Sequence, residues 1–244
     1  MPAIFRAFAH RGGSLERPEN SLAAFTHAVE LGYVDLETDV RGTRDGVAVV
    51  HHDATLNRTT DTGGRLMDLA WSTIRGARIH GVEPIARIEE LFEQFPDRHL
   101  TVDAKDDAAA DALVAAIDRT RRRHALTLTS FSGTRLVRMR QRTGLPVAAH
   151  PSEVMRLWRG HRRGKLTTIS ARSAAVPTRV GRVQIATEEF VEHAHRCGVS
   201  VYFWTINDPG QVQQLIDLGA DGIMTDRPAM LREVLLDNNL WKSN

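Results

Sequence analysis

The chain has 244 residues, 42% of them hydrophobic and 25% charged, with a net charge of +2 and a single cysteine, Cys197. This is ordinary composition for a soluble globular protein of barrel size. One cysteine excludes an internal disulfide and leads us to expect a reducing, cytoplasmic setting. The small charge excess does not argue for nucleic acid and does not repel an anionic substrate. No apolar run is long enough to span a bilayer. The start, MPAIFRAFAHRGG, has neither the apolar core nor the cleavage site of a signal peptide. No stable membrane insertion is expected.

Ile4–Ala9 reads as a first strand ending at His10-Arg11-Gly12-Gly13, where two glycines let the backbone approach a ligand. Asn20 or Ser21 caps a helix whose apolar stripe is Leu22, Phe25 and Val29, and Gly32 ends it. Val34–Val40 alternates apolar with acidic residues, so Glu37 and Asp39 share one face of a strand. Arg44-Asp45-Gly46 turns the chain, and Val47–Val50 returns to deliver His51, His52 and Asp53. The stretch 54–88 has no strong period and reads as an excursion carried on the scaffold.

Ile88–Phe92 starts a helix that stops before Pro96. Leu100–Lys105 is a strand with Asp103 and Lys105 on one face, followed by a helix over Ala108–Arg123. Leu126–Ser130 and Leu145–Ala149 are the fourth and fifth strands. The sixth is Leu166–Ser170 or Ala174–Pro177, the second being favoured. Arg156, Arg159, Arg162, Arg163 and Lys165 form a basic segment that lacks the interleaved aromatics of a nucleic-acid stripe and reads as a solvated helix face. Val199–Thr205 and Asp221–Thr225 are the last strands, each preceded by a helix closed by glycine. Cys197 falls on one of those helix ends and reads as packing.

Short strands alternating with helices, without a Gly-x-Gly-x-x-Gly after the first, point to an α/β (β/α)₈ TIM barrel. We expect a single domain over residues 1–244, with a small insertion after strand 2 at about 54–88. His10, Glu37, Asp39, Asp103, Lys105, Ser130, Trp204 and Asp226 all fall at or just past predicted strand ends, where barrels carry their chemistry.

The segments AHRGG (9–13), PENS (18–21), LETDV (36–40), TRDG (43–46), HHDATLNRTT (51–60), DAK (103–105), FWTIND (203–208) and GADGIMTDRP (219–228) together resemble the glycerophosphodiester phosphodiesterase family. The resemblance runs in family order over nearly the whole chain. It implies a TIM barrel that hydrolyses small-molecule glycerophosphodiesters to glycerol 3-phosphate and an alcohol with a divalent cation. It makes His10 and His52 the acid–base pair, puts Arg11 on the phosphate, and makes Glu37 and Asp39 metal ligands. Asp103 stands where the family usually has a third ligand Glu, with Lys105 kept after it. Ala86 replaces a usual Pro at the excursion's exit.

Three carboxylates without cysteine suit Mg²⁺ or Ca²⁺, with Mn²⁺ also possible. The plain alternative is a buried salt-bridge network with Arg11 and Lys105, which can also bind phosphate oxygens. His51, one residue out of phase with His52, is expected to pack behind the site. Trp204, with Phe131, is a candidate to contact substrate or to close the barrel mouth. Two other functions compete: a phospholipase D-like enzyme on lysophospholipid or sphingolipid head groups, and a catalytically inactive phosphate-ligand binding protein. The first needs an apolar lip, for which Phe131, Trp158 and Trp204 are the visible candidates. Self-association is left open.

Overall fold

A computed structural model describes residues 5–241. Its strands, in chain order, are β1 (Arg6–His10), β2 (Asp35–Gly42), β3 (Ala48–Val50), β4 (Arg78–Ile79), β5 (Glu83–Pro84), β6 (His99–Ala104), β7 (Leu126–Thr129), β8 (Ser173–Pro177), β9 (Arg179–Val180), β10 (Val183–Gln184), β11 (Ser200–Trp204) and β12 (Gly222–Thr225). The helices are α1 (Leu22–Glu30), α2 (Trp71–Ile74), α3 (Ile88–Gln94), α4 (Asp107–Thr120), α5 (Gly133–Thr143), α6 (Pro151–Arg162), α7 (Glu188–Arg196), α8 (Pro209–Asp217) and α9 (Pro228–Asp237).

Seven parallel strands form one curled sheet in the order β7-β6-β2-β1-β12-β11-β8, and β3 adds to β2 antiparallel. The fold is α/β and TIM-barrel-like. Edge strands β7 and β8 do not pair with each other. Between them lies the stretch expected as the fifth strand. It forms no strand, but Val147 bridges Leu128 in parallel. The Ala148 N–H donates to Leu128 and the Ala149 N–H to Ser173, at 3.1 and 2.8 Å. The favoured sixth strand is present as β8, and Leu166–Ser170 is not a strand. Ile4, the expected start of the first strand, lies outside the described residues.

The period of two sorts the sheet into two faces. Leu36, Val40, Leu100, Val102, Leu126 and Leu128 pack outward against the helices with Phe25, Leu113 and Ile117. Arg6, Asp35, His99 and Thr127 form a hydrogen-bonded layer at the base of the opposite, inward face. Above them Phe8, Tyr202 and Met224 form a small apolar cluster. Register then lines up the top layer: His10 pairs with Glu37 and Asp39 with Asp103. Ser21 caps α1 by accepting from the Ala24 N–H, and the αL residue Arg121 closes α4.

The stretch 54–87 carries a 3₁₀ turn at Leu66–Asp68, α2 and the β4–β5 ribbon. It is held by its own buried cluster of Leu56, Leu66, Ile74, Ala77, Ile79 and Ile85 on Val49.

Candidate active site

The site is built on the β1–α1 loop. Gly12 and Gly13 have φ of +81° and +101°, a conformation that glycine adopts without strain. A Cβ on Gly12 would come within 2.7 Å of Ala24, and one on Gly13 within 2.6 Å of the Pro228 ring. The glycines therefore let the loop press on α1 and on the start of α9. This close packing aims the Arg11 N–H at Oε2 of Glu37, 3.1 Å away.

Both expected catalytic histidines face one cavity of about 560 Å³. Its polar side is lined by His10, Arg11, Glu37, Asp39, His52, Asp103 and Lys105. Each imidazole has its Nδ1 against a carboxylate: His10 against Asp226 at 2.6 Å, and His52 against Asp53 at 2.7 Å. Such pairing orients the ring and leaves Nε2 for chemistry. His10 Nε2 lies 3.8 Å from Oε2 of Glu37. Burial opposes a charged His10, but Glu37 and Asp226 outweigh it and raise the pKa above the ordinary histidine value. Asp226 is itself held at about 2: burial opposes its charge, and hydrogen bonds from His10, Ser14 and Asn207 prevail. His51 is buried behind the site with Nε2 3.1 Å from the Thr55 carbonyl, and burial lowers its pKa.

The acidic side is an ion-pair network. Lys105 Nζ sits 2.6 Å from Asp39 and 2.6 Å from Asp103. Arg11 Nε lies 3.1 Å from the other oxygen of Asp39, which also accepts from Asn20 at 3.1 Å. Burial opposes the Asp39 charge, yet Lys105 and Arg11 keep its pKa below the usual carboxylate range. At Glu37 burial and the Asp39 charge outweigh the attraction of His10 and Lys105 and lift its carboxyl to about 7.

Among the described residues no three His, Cys, Asp or Glu side chains are grouped as a metal-binding set. The Lys105 ammonium fills the space between Asp39 and Asp103. The donor chemistry nevertheless fits a hard divalent cation. Three carboxylates project into one cavity, and Oδ1 of Asp103 is buried without a hydrogen-bond partner. A cation there would also relieve the Glu37 charge.

Several supporting residues have no role that the sequence alone assigns. Asp226 is marked there only by its place at a strand end. Arg58, in the excursion, donates to Asp53 at 2.5 Å and to both oxygens of Glu19 at 2.7 and 2.8 Å; Glu19 also accepts from Arg11 at 3.2 Å. Asn207 accepts from the Asp226 N–H at 2.8 Å and donates to its carboxylate at 2.9 Å. Their signal in the sequence is the PENS, HHDATLNRTT, FWTIND and GADGIMTDRP segments. Phe131 and Trp204 meet edge to face with centroids 6.2 Å apart, and both line the cavity.

The expected apolar lip of Phe131, Trp158 and Trp204 is too short a description. Val154, Met155, Pro177, Val180, Val183 and Ile185 join it, so one whole side of the cavity is apolar. These residues come from α6 and from the β8–β10 region, where the sequence shows no periodic signal.

A sequence profile of the Glycerophosphoryl diester phosphodiesterase family matches residues 10–230. The chain is 33% identical to the Mycobacterium tuberculosis protein named "Probable glycerophosphodiester phosphodiesterase 2", over 96% of this chain and 92% of that one. It is 26% identical to the Rattus norvegicus protein named "Lysophospholipase D GDPD1", over 97% of this chain and 87% of that one. Its fold matches an Oleispira antarctica phosphodiesterase, solved in complex with the product sn-glycerol-3-phosphate, with a TM-score of 0.80 at 22% identity. That match covers 95% of this chain and 97% of the other. With its motifs in order and its site at one end of a curled parallel sheet, the chain belongs to the glycerophosphoryl diester phosphodiesterase family of phosphodiester hydrolases.

Proposed function

We propose that the protein hydrolyses glycerophosphodiesters to glycerol 3-phosphate and an alcohol, with His10 and His52 exchanging protons and a divalent cation held by Glu37, Asp39 and Asp103. The observation that carries this reading is the pair of imidazoles, each oriented by a carboxylate on Nδ1, facing the same cavity as the acidic cluster. We read the fold as a (β/α)₈ barrel with residues 145–149 as its fifth strand and 54–88 as an insertion. The site then lies at the C-terminal ends of the strands, where such barrels carry catalysis.

Arg11 and Lys105 bind the non-bridging phosphate oxygens, the first as a planar fork and the second as a point charge. His10, whose pKa is raised, holds the proton that the departing alcohol needs. His52 takes the proton of the glycerol 2-hydroxyl as that oxygen attacks phosphorus. The P–O bond to the alcohol breaks, and the alkoxide leaves with the His10 proton. The product is a cyclic 1,2-phosphate, favoured by the effective molarity of a tethered nucleophile. Water then opens the ring with the two histidines in exchanged roles. When bound, the cation supplies Lewis-acid polarisation of the phosphoryl group.

Glycerol 3-phosphate release from glycerophosphocholine tests the activity. An analogue with propane-1,3-diol in place of glycerol lacks the 2-hydroxyl, so it should bind without turning over. Hydrolysis of that analogue at the parent rate overturns the cyclic route, and inactivity on every glycerophosphodiester overturns the function.

A second reading is a lysophospholipase D-like activity, favoured by the apolar side of the cavity and by the likeness to the rat protein. An acyl chain on the glycerol would lie along Met155, Trp158, Val180 and Val183. A higher kcat/KM for a long-chain lysophosphatidylcholine than for glycerophosphocholine supports it, and the reverse order rejects it.

A further inference from the structure

We propose that the face formed by α6 and the β9–β10 hairpin docks on an anionic phospholipid surface. Residues 151–184 contain seven arginines and one lysine but one acid, Glu153. Glu153 is buried, where it accepts from Ser170. Of the eight cations, Arg156 alone has an acidic partner among the described residues, Glu153 at 3.5 Å. On α5, by contrast, Arg135, Arg138 and Arg142 are tied to Asp107 or Asp111. The segment thus carries seven more cations than acids, in a chain whose whole net charge is only +2.

Apolar side chains stand within the same face. Met155, Val180, Val183 and Phe131 are 41%, 54%, 38% and 65% exposed, although all four line the cavity. Val180 pairs with Val183 across the hairpin, so both project from the same side. Arg159 follows Met155 by one helical turn, and Arg162 follows Trp158, with its guanidinium 6.0 Å from the Trp158 ring. Arg179 precedes Val180 and Arg182 precedes Val183, and both arginines are exposed.

Basic residues meet anionic head groups, and short apolar side chains between them enter the head-group region without spanning the bilayer. An acidic protein or a nucleic acid would match the charge but not the four exposed apolar side chains at the cavity mouth. On a lipid surface the mouth would open toward the bilayer. Glu189 shares a second cavity with Arg162, so Arg159, Arg179 and Arg182 are the cleaner probes.

Vesicle co-sedimentation of the full chain tests this without turnover, so it stands or falls apart from the hydrolytic reading. The wild type should pellet with equimolar phosphatidylglycerol–phosphatidylcholine vesicles, be released by high salt, and stay in solution with phosphatidylcholine alone. The combined variant Arg159→Glu, Arg179→Glu, Arg182→Glu should lose at least about a hundredfold in partition, taking about fivefold for each lost positive charge before the added repulsion. Its turnover of soluble glycerophosphocholine should match the wild type. Val180→Asp should also weaken binding, which reads the apolar contribution if the triple variant misfolds. Equal affinity for neutral vesicles, full binding by a folded triple variant, or salt-sensitive capture of an RNA oligonucleotide with no vesicle binding would each overturn the proposal.

Discussion

Arg58 grips both oxygens of Glu19 through its two terminal nitrogens, at 2.7 and 2.8 Å, although 39 residues separate them. The same guanidinium holds Asp53, and burial is not what charges it: the two carboxylates raise its pKa above the ordinary arginine value. Asp53 in turn orients His52, and Glu19 receives Arg11. One exposed arginine in the excursion thereby ties a candidate catalytic histidine to a candidate phosphate ligand. Arg58→Ala should lower kcat on the smallest glycerophosphodiester by about tenfold to a hundredfold, the size of an outer-shell effect. Arg58→Lys should recover only part, because an ammonium cannot reproduce the fork. Steady-state kinetics that show unchanged kcat in Arg58→Ala would confine the excursion to substrate selection.

His10→Ala and His52→Ala should each reduce kcat by at least about a hundredfold. His51→Ala should do far less, since that ring is turned to the Thr55 carbonyl. Asp226 helps to raise the His10 pKa. Removing its charge lowers that pKa, so the proton donor is lost earlier as pH rises. Asp226→Asn should therefore move the alkaline limb of the kcat–pH profile to lower pH. An unmoved limb would mean that another group donates the proton.

Cation binding should be visible without turnover. Mg²⁺ or Ca²⁺ at a hundred times its Kd should stabilise the fold by about 2.7 kcal/mol, read as a rise in Tm. Because Glu37 is lifted to about 7, binding near neutral pH should release a proton, measurable in a weakly buffered solution. Glu37→Gln and Asp103→Asn should abolish the Tm response, and EDTA should abolish activity. Full activity after exhaustive dialysis against EDTA removes the metal from the mechanism.

The base of the curled sheet offers a stability test away from the chemistry. Asp35 is buried beneath the site and bonds Arg6 and His99. Burial opposes its charge, but those partners hold its pKa below the ordinary carboxylate value. Its contribution is present above the unfolded-state pKa and is lost as pH falls through the lower folded value. Asp35→Asn should cost about 2 kcal/mol at neutral pH, the size of a charged hydrogen bond, and flatten the acid limb of a Tm–pH curve. A variant as stable as the wild type at neutral pH would show that the base layer is held by packing alone.

The sequence by itself determined the alternation of strands and helices, and it placed His10, Glu37, Asp39, Asp103 and Lys105 at strand ends. Those features are local: a period of two sets which side chains share a face, and glycines mark where the chain turns. The family resemblance groups the carboxylates at 37, 39 and 103, and the register of β2 against β6 sets Asp39 beside Asp103. Only the tertiary structure decided the partners. Asp226 reaches His10 across 216 residues, and Lys105 lies between two acids rather than beside an open position. The apolar side of the cavity was hidden for the same reason. Met155 and Trp158 on a basic helix, and Val180 and Val183 on a two-residue ribbon, show no core periodicity, because they pack on a cavity that exists only after the chain has closed around it.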